Sequence, residues 1–523
     1  MGRFKITKMG WIALILVIVL AVAGIGTVGV KTGFIKNDLA DNKTENNGGG
    51  INNSAGAHNA NNNTSSGKMD ATIDLSLDEW VGWKSIVDAY EDGDYEAAGI
   101  KVNVNVINDA TQSSNALIKG DLDAAGYTIN RTAFLSTKFK DAGMNVVMPL
   151  ITNYSNGGDG IIAKTTIQSV RDLVGAKIGV PEFSEAQTLV VWFVNNSDLT
   201  QEEKDTIIDN LILFATPDEA AKAFFAGQID VAATWEPYLT QAQNMSDCHI
   251  LFSTASSSSL VMDGIVFNKA FVDAYPEVVQ TFIEVTLKAA EKYETNFDNI
   301  RKVMPMFSTM SDEEILDSCK AAKLATWKDN SNLLNGTAKT IYTDMCKVWQ
   351  SIGESADSSA VDSIFVDTYV QAVSGSFSST QVSKEETSKV TEENKEEVLD
   401  AEALLGGSAS VTFVKNTAKF DDSAAASAEL DKFINIAKIL DGAIIEIAGN
   451  TDPNPASDPL DEYNIKLSYQ RAETVKNYFI MNGIPADRIV VVGNGSSNPI
   501  VENDTEEHRA MNRRTDVSFK IIE

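Results

Sequence analysis

The pattern of hydrophobic and polar positions divides the chain into an unbroken apolar run, a polar stretch, and two regions whose apolar residues recur with secondary-structure spacing. Trp11 to Val30 carries no charge, and about 20 helical residues at about 1.5 Å each cover the hydrocarbon layer of a membrane. A transmembrane anchor over 1–35 is therefore predicted. Arg3, Lys5 and Lys8 precede the run, whereas Lys31, Lys36 and Lys43 beyond it are balanced by Asp38, Asp41 and Glu45. The positive-inside bias puts the N-terminus in the cytoplasm and the rest outside the membrane. The alternative is a cleaved signal peptide, because Ala21-Val-Ala23 fits a small-residue cleavage site, although apolar residues continue to Val30.

Residues 36–68 are dense in Asn, Gly and Ser and carry too little apolar surface to offset the entropy of ordering, which predicts a flexible linker. From 69 to 373 short β-rich runs such as Ile73-Asp-Leu75, Val102-Asn-Val-Asn-Val106, Lys177-Ile-Gly-Val180 and Val231-Ala-Ala alternate with helical segments. That alternation predicts an α/β fold with parallel sheets. The pattern restarts near Ile161 and returns to its first half near Asp263-Gly264-Ile265, so two lobes joined by crossing strands are expected. Residues 374–404 are Ser/Thr-rich and then charged, and read as a second linker or a solvated helix. Over 405–523 the pattern predicts strands at Ser410–Val414, Ile444–Ala448, Ile489–Val492 and Thr515–Ile522, with helices at Ala424–Leu440 and Ile465–Asn482. Leu430, Phe433, Ile434, Ala437 and Leu440 keep helical spacing and are assigned to the core of this small βαβα domain.

Composition narrows the function. A net charge of −30 speaks against a nucleic-acid partner, which needs clustered Lys and Arg against phosphate. The cysteines are Cys248, Cys319 and Cys346, an odd count without C-x-x-C spacing, so buried free thiols are expected, with a Cys319–Cys346 pair the alternative. Only three histidines occur, which leaves no cluster for a metal or for a nucleophile with its base. No catalytic residue, metal site or cofactor is predicted.

Ile447-Ala-Gly-Asn-Thr-Asp452, Asn464, Leu467-Ser468, Arg471-Ala472 and Asn512-Arg513-Arg514 together resemble the peptidoglycan-binding module of the OmpA C-terminal family. The resemblance implies that Asp452 and Arg471 hold the diaminopimelate of a peptidoglycan stem. The chemistry suits this, since Asp452 can take an ammonium and a planar guanidinium can take a carboxylate in bidentate fashion. An Asp452–Arg471 ion pair without ligand is the alternative. Asn464, Leu467 and Arg509 are expected to complete the pocket. The family's His before Thr-Asp is Asn450 here, and Pro453–Glu462 is longer and more acidic than the usual loop.

Asp172-Leu-Val-Gly-Ala-Lys-Ile-Gly-Val180, Ala223-Phe-Phe-Ala-Gly-Gln-Ile-Asp230, Thr234-Trp-Glu-Pro-Tyr238 and Lys119-Gly-Asp-Leu-Asp123 resemble, in order and spacing, the type II periplasmic-binding-protein family of ABC importers for nitrate, bicarbonate, sulfonates and thiamine-precursor pyrimidines. The likeness covers about 300 residues and implies a cleft that closes on a small solute. Ser184 opens a helix directly after a strand and is either a plain N-cap or part of an anion site. Trp235 and Glu236 end a strand where open α/β sheets place ligands, a Trp face for planar or alkyl groups and a carboxylate for an amine or N–H donor, the alternative being a structural corner stabilised by Pro237. Trp80 follows the first strand in the same way, with one of Trp80 and Trp83 assigned to core. Thr128, Asn130, Asp159 and Asp263 complete the candidates. Few Lys or Arg fall among them, which favours a zwitterion, an amine or a neutral heterocycle over a strongly anionic solute. The enzymatic branch of this fold uses an active-site histidine and a Cys-rich iron motif, and neither is present.

The expectation is a membrane-anchored solute-binding protein that serves an ABC permease while its C-terminal domain grips the wall. The alternative is a non-transport ligand sensor, or a tether between membrane and wall.

Overall fold

The computed structural model describes residues 71–521 apart from 258, 293–294, 378–388, 402, 410, 415 and 454–461. The apolar run expected to span a membrane and the first linker lie outside the described residues. No helix among the described residues is long and apolar enough to cross a membrane.

The first sheet joins β1 (Thr72–Leu77), β2 (Lys101–Val106), β3 (Ala124–Thr128), β4 (Val146–Val147) and β5 (Ile151–Ser155). The chain then leaves it to build a second sheet from β6 (Asp159–Lys164), β7 (Ile178–Pro181), β8 (Ile212–Phe214), β9 (Val231–Trp235) and β10 (Cys248–Ser253). It returns to the first with β11 (Met262–Asn268) and β12 (Ala322–Leu324). The orders are β12-β5-β11-β3-β1-β2, with β4 beside β11, and β10-β6-β9-β7-β8. Each lobe thus mixes parallel pairs at its heart (β1 with β2 and β3, β7 with β8 and β9) with antiparallel strands brought by the crossovers. The crossovers are residues 155–159 and 253–262, and Thr254 ties them together: its hydroxyl bonds the Ser155 hydroxyl at 2.7 Å and accepts from the Gly157 amide at 3.0 Å.

Alternation along β1 buries Ile73, Leu75 and Leu77, at no more than 1% exposure, against helices. Small residues in β3 let an indole close on the sheet: a Cβ on Gly126 would lie 2.9 Å from the Trp83 ring, so Trp83 is the core member of the Trp80/Trp83 pair. Three helices matter for the site. Helix α1 (Ile129–Asp141) follows β3 and is capped by Thr128, whose hydroxyl accepts from the Arg131 amide; α2 (Glu185–Asn195) follows β7 and is capped by Ser184. Helix α3 (Ala338–Ser351) packs on both, with Trp349 donating its indole N–H to the Asn130 carbonyl at 2.9 Å. All three cysteines are buried, and none is in a disulfide.

The C-terminal sheet runs β13 (Ala403–Ala409), β16 (Thr515–Lys520), β14 (Ile444–Gly449), β15 (Ile489–Gly493), with β14 and β15 parallel and the other pairs antiparallel. Helices α4 (Ser423–Ile439) and α5 (Glu462–Met481) complete it. The first strand is a correction to the expected Ser410–Val414. The Gly-rich Ala403-Leu-Leu-Gly-Gly-Ser-Ala409 pairs along β16 instead, because an edge register is set by its neighbour's backbone rather than by side-chain propensity. Phe413 bridges to Phe420. The turn after α4 rests on the second crossover: the Gly442 amide donates to the Ser256 carbonyl at 3.2 Å, and the Ser257 hydroxyl donates to the Ile439 carbonyl at 2.7 Å.

Candidate functional site

The two sheets meet at residues that cap strands or open helices. Asp78 directly follows β1, Asp159 opens β6, Glu185 opens α2, and Asp263 sits in β11 opposite Thr128 of β3 and Asn153 of β5. Trp80 spans the lobes. Its indole N–H donates to the Asn153 side-chain oxygen at 3.0 Å, while a Cβ on Gly158 would lie 3.0 Å from its ring, beside Asp159. On another side Arg131 of α1 donates to the Phe183 carbonyl just before α2 at 3.4 Å, and Phe134 stacks on Phe183 with ring centroids 5.0 Å apart. Phe183 holds a φ of +57°, a conformation that costs energy for a bulky residue and is kept where the surroundings over-determine it.

Electrostatics shows that these carboxyls face a common space. Withdrawal from water pushes the Asp263 carboxyl well above its ordinary range, and Asp78, Asp159 and Glu185 push it further. Glu185 is pushed up to about 7 by withdrawal from water and then by Asp159; Asp159 is pushed up to about 6, mainly by its burial. Asp78 keeps solvent access but is crowded by protein, and its carboxyl is raised as well, although Trp83 donates an indole N–H to it at 2.6 Å. The Arg131 guanidinium faces Glu185 and Asp78, and burial lowers its own value.

The candidates from sequence divide here. Asp159, Asp263 and Trp80 come together. Thr128 lies opposite Asp263 but serves as the α1 cap. Ser184 accepts from the Gln187 amide and donates to the Pro181 carbonyl, the plain N-cap arrangement. Asn130 is buried and donates to the Thr188 hydroxyl at 2.8 Å, pinning α1 to α2. Trp235 lies opposite Asp159 across β9 and β6. Glu236 directs its carboxylate to the Thr240 amide and hydroxyl, at 3.1 and 2.9 Å, and so closes the turn into its own helix. Asp78, Arg131 and Glu185 were not among the candidates; each stands two residues or fewer from one that was.

The second candidate site lies at the C-terminal end of β14. Asp452 pairs with Arg513 at 3.0 Å, Arg513 pairs onward with Glu506 at 2.7 Å, and Glu506 also takes Arg509 at 3.1 Å. The Asp452–Arg471 ion pair weighed from sequence is not found among the described residues. Arg471 instead is buried, donates its Nε to the Thr417 carbonyl at 3.2 Å and lies over the Phe413 ring at 5.0 Å. Burial lowers its value and nearby Asp452 offsets part of that. Leu467 is buried, and three buried polar atoms lack a hydrogen-bond partner here: the Asn464 amide nitrogen and the Thr451 and Thr515 hydroxyls. Natural folds rarely leave such groups unmet unless a ligand or water meets them.

Residues 84–296 match the NMT1/THI5-like family, and residues 412–513 match the OmpA family. The chain joins an NMT1/THI5-like domain to an OmpA-family domain. Over 90 residues it is 41% identical to the outer membrane protein A of Bordetella avium, covering 17% of this chain and 44% of that one. Over 88 residues it is 41% identical to the peptidoglycan-binding protein ArfA of Mycobacterium tuberculosis, covering 17% and 26%. The chain thus spans less than half the length of these relatives. Among solved structures it is similar to the periplasmic aliphatic sulphonate binding protein SsuA of Escherichia coli, at 17% identity and a TM-score of 0.42, covering 57% of this chain and 98% of that one.

Proposed function

We propose that this protein captures a small solute between the lobes of its NMT1/THI5-like domain while its OmpA-family domain grips peptidoglycan. The observation that carries the reading is the convergence of Trp80, Asp159, Asp263 and Glu185, drawn from both sheets, at two crossovers that Thr254 links. A two-lobed α/β fold hinged on paired crossovers can exchange an open form for one closed around a ligand, and differential contacts in the closed form drive the shift. On the wall side, Asp452 with Arg513 offers a carboxylate to an ammonium, and Arg471 offers a guanidinium to a carboxylate, the two ends of a diaminopimelate residue.

Delivery to an ABC permease and anchoring through Trp11–Val30 complete the proposal. Crosslinking the protein in its native envelope tests the partnership: a permease and its ATPase are expected, and their absence would remove transport while leaving capture. The contact of Gly442 and Ile439 with the second crossover favours a second reading, solute sensing passed to the wall-binding domain. Hydrogen exchange that slows at Ile439–Ala443 when solute is added would favour it over transport.

A further inference from the structure

We infer that the solute taken between the lobes is a small organic cation bearing ammonium or guanidinium groups. This rests on the capture reading above and names its ligand class. Four carboxyls, Asp78, Asp159, Glu185 and Asp263, face one space, and the guanidinium beside them, that of Arg131, acts on Asp78 and Glu185 and on Asp109 outside the four. If all four ionise, three negative charges stay unmatched by protein.

A second observation is independent of the count. Asp159 and Asp263 are 4% and 5% exposed, and neither forms an ion pair among the described residues. Their nearest polar side chains, Ser155 beside Asp159 and Trp80 beside Asp263, are neutral and already hydrogen-bonded to Thr254 and Asn153. A fold gains nothing by holding buried carboxyls against one another, since burying an unpaired charge is costly. A cation entering from solvent supplies the missing countercharge, and the exposure of Asp78 keeps a way in. Trp80, held by Asn153 and lying against Gly158, offers a ring to the same ligand, as aromatic faces do for ammonium and guanidinium groups. An anion such as nitrate or a sulfonate would meet the same four carboxyls as repulsion, with Arg131 as its one attraction.

Binding must also move protons. The titratable groups facing the space are Asp78, Asp159, Glu185, Asp263, Tyr127 and Arg131, and the carboxyls hold protons in the empty cleft at pH values where they are ordinarily ionised. A cation that lowers their values releases those protons, so affinity rises with pH between about 5 and 8.

Calorimetric titration of the full-length chain in mild detergent tests this, using 1,4-diaminobutane, agmatine and choline as cations and nitrate and ethanesulfonate as anions. At least one cation is expected to bind, with heat that depends on the buffer's ionisation enthalpy, and with affinity at least tenfold weaker in the isosteric variants D159N and D263N. Circular dichroism of both variants confirms that they fold. Binding of an anion but of no cation would overturn the ligand class and leave capture standing. Cation binding unchanged in both variants would overturn the site, and silence from every probe would count against both the class and the capture reading.

Discussion

Replacing Asp159 by asparagine should change how the two-lobed domain's stability depends on pH, and the size follows from its surroundings. Asp159 is 4% exposed, without an ion pair among the described residues, and its carboxyl is pushed up to about 6 by burial. In the unfolded chain the same group titrates near its ordinary 3.8. The native state therefore keeps the proton longer, so this contribution to stability is whole below about pH 4 and is lost as the pH rises through about 6. A displacement from about 4 to about 6, at roughly 1.4 kcal/mol per tenfold, amounts to about 3 kcal/mol. The carboxamide that replaces the carboxyl cannot ionise, so D159N should lose about that much less than the parent between pH 4 and pH 7. Apart from Trp11, every tryptophan lies between Trp80 and Trp349, so their fluorescence during urea unfolding reports on the two-lobed domain. Parallel stability curves for parent and variant across pH 4 to 7 would refute the reasoning, because they would mean that Asp159 titrates as an ordinary carboxyl.

Other expectations follow from single contacts. Substituting both Asp452 and Arg471 by alanine should abolish co-sedimentation of the protein with diaminopimelate-type wall, and unchanged pelleting would remove these residues from the site. G449A should destabilise the OmpA-family domain by about 1–3 kcal/mol, since a Cβ there would stand 2.1 Å from the Ser468 carbonyl oxygen; a calorimetric transition at the parent temperature would contradict this. Arg488 is buried and donates to the carbonyls of Ala437, Leu440 and Ala443, so R488M should cost about 3 kcal/mol in the same transition.

Much of the architecture was legible because it rests on patterning. The break near Ile161 and the return at Asp263 are the two crossovers, and strands such as Ile73–Leu75 and Val231–Ala233 lie where their apolar runs placed them. Asp159 and Asp263 stood out in the sequence because each sits where the chain changes sheet. Asp78, Glu185 and Arg131 were missed for a common reason: each adjoins a cap or strand end that local grammar already explained, and their significance is collective. Four carboxyls separated by dozens of residues give no local signal until the fold brings them together. Glu236 stands at the strand end where patterning placed it, and its carboxylate turns back onto Thr240. In the C-terminal domain Asp452 and Arg471 were legible as motif, but the partner of Asp452 is Arg513, a pairing that only the fold brings together.

The central claim, that a small solute is held between the lobes, is tested most directly by native mass spectrometry of the full-length protein released from the envelope of its own host. The account predicts a discrete added mass that persists at low collision energy, belongs to an amine- or guanidine-bearing compound, and disappears in D263N. A bare mass for the parent protein, unchanged after incubation with a small-molecule extract of the same cells, would contradict it.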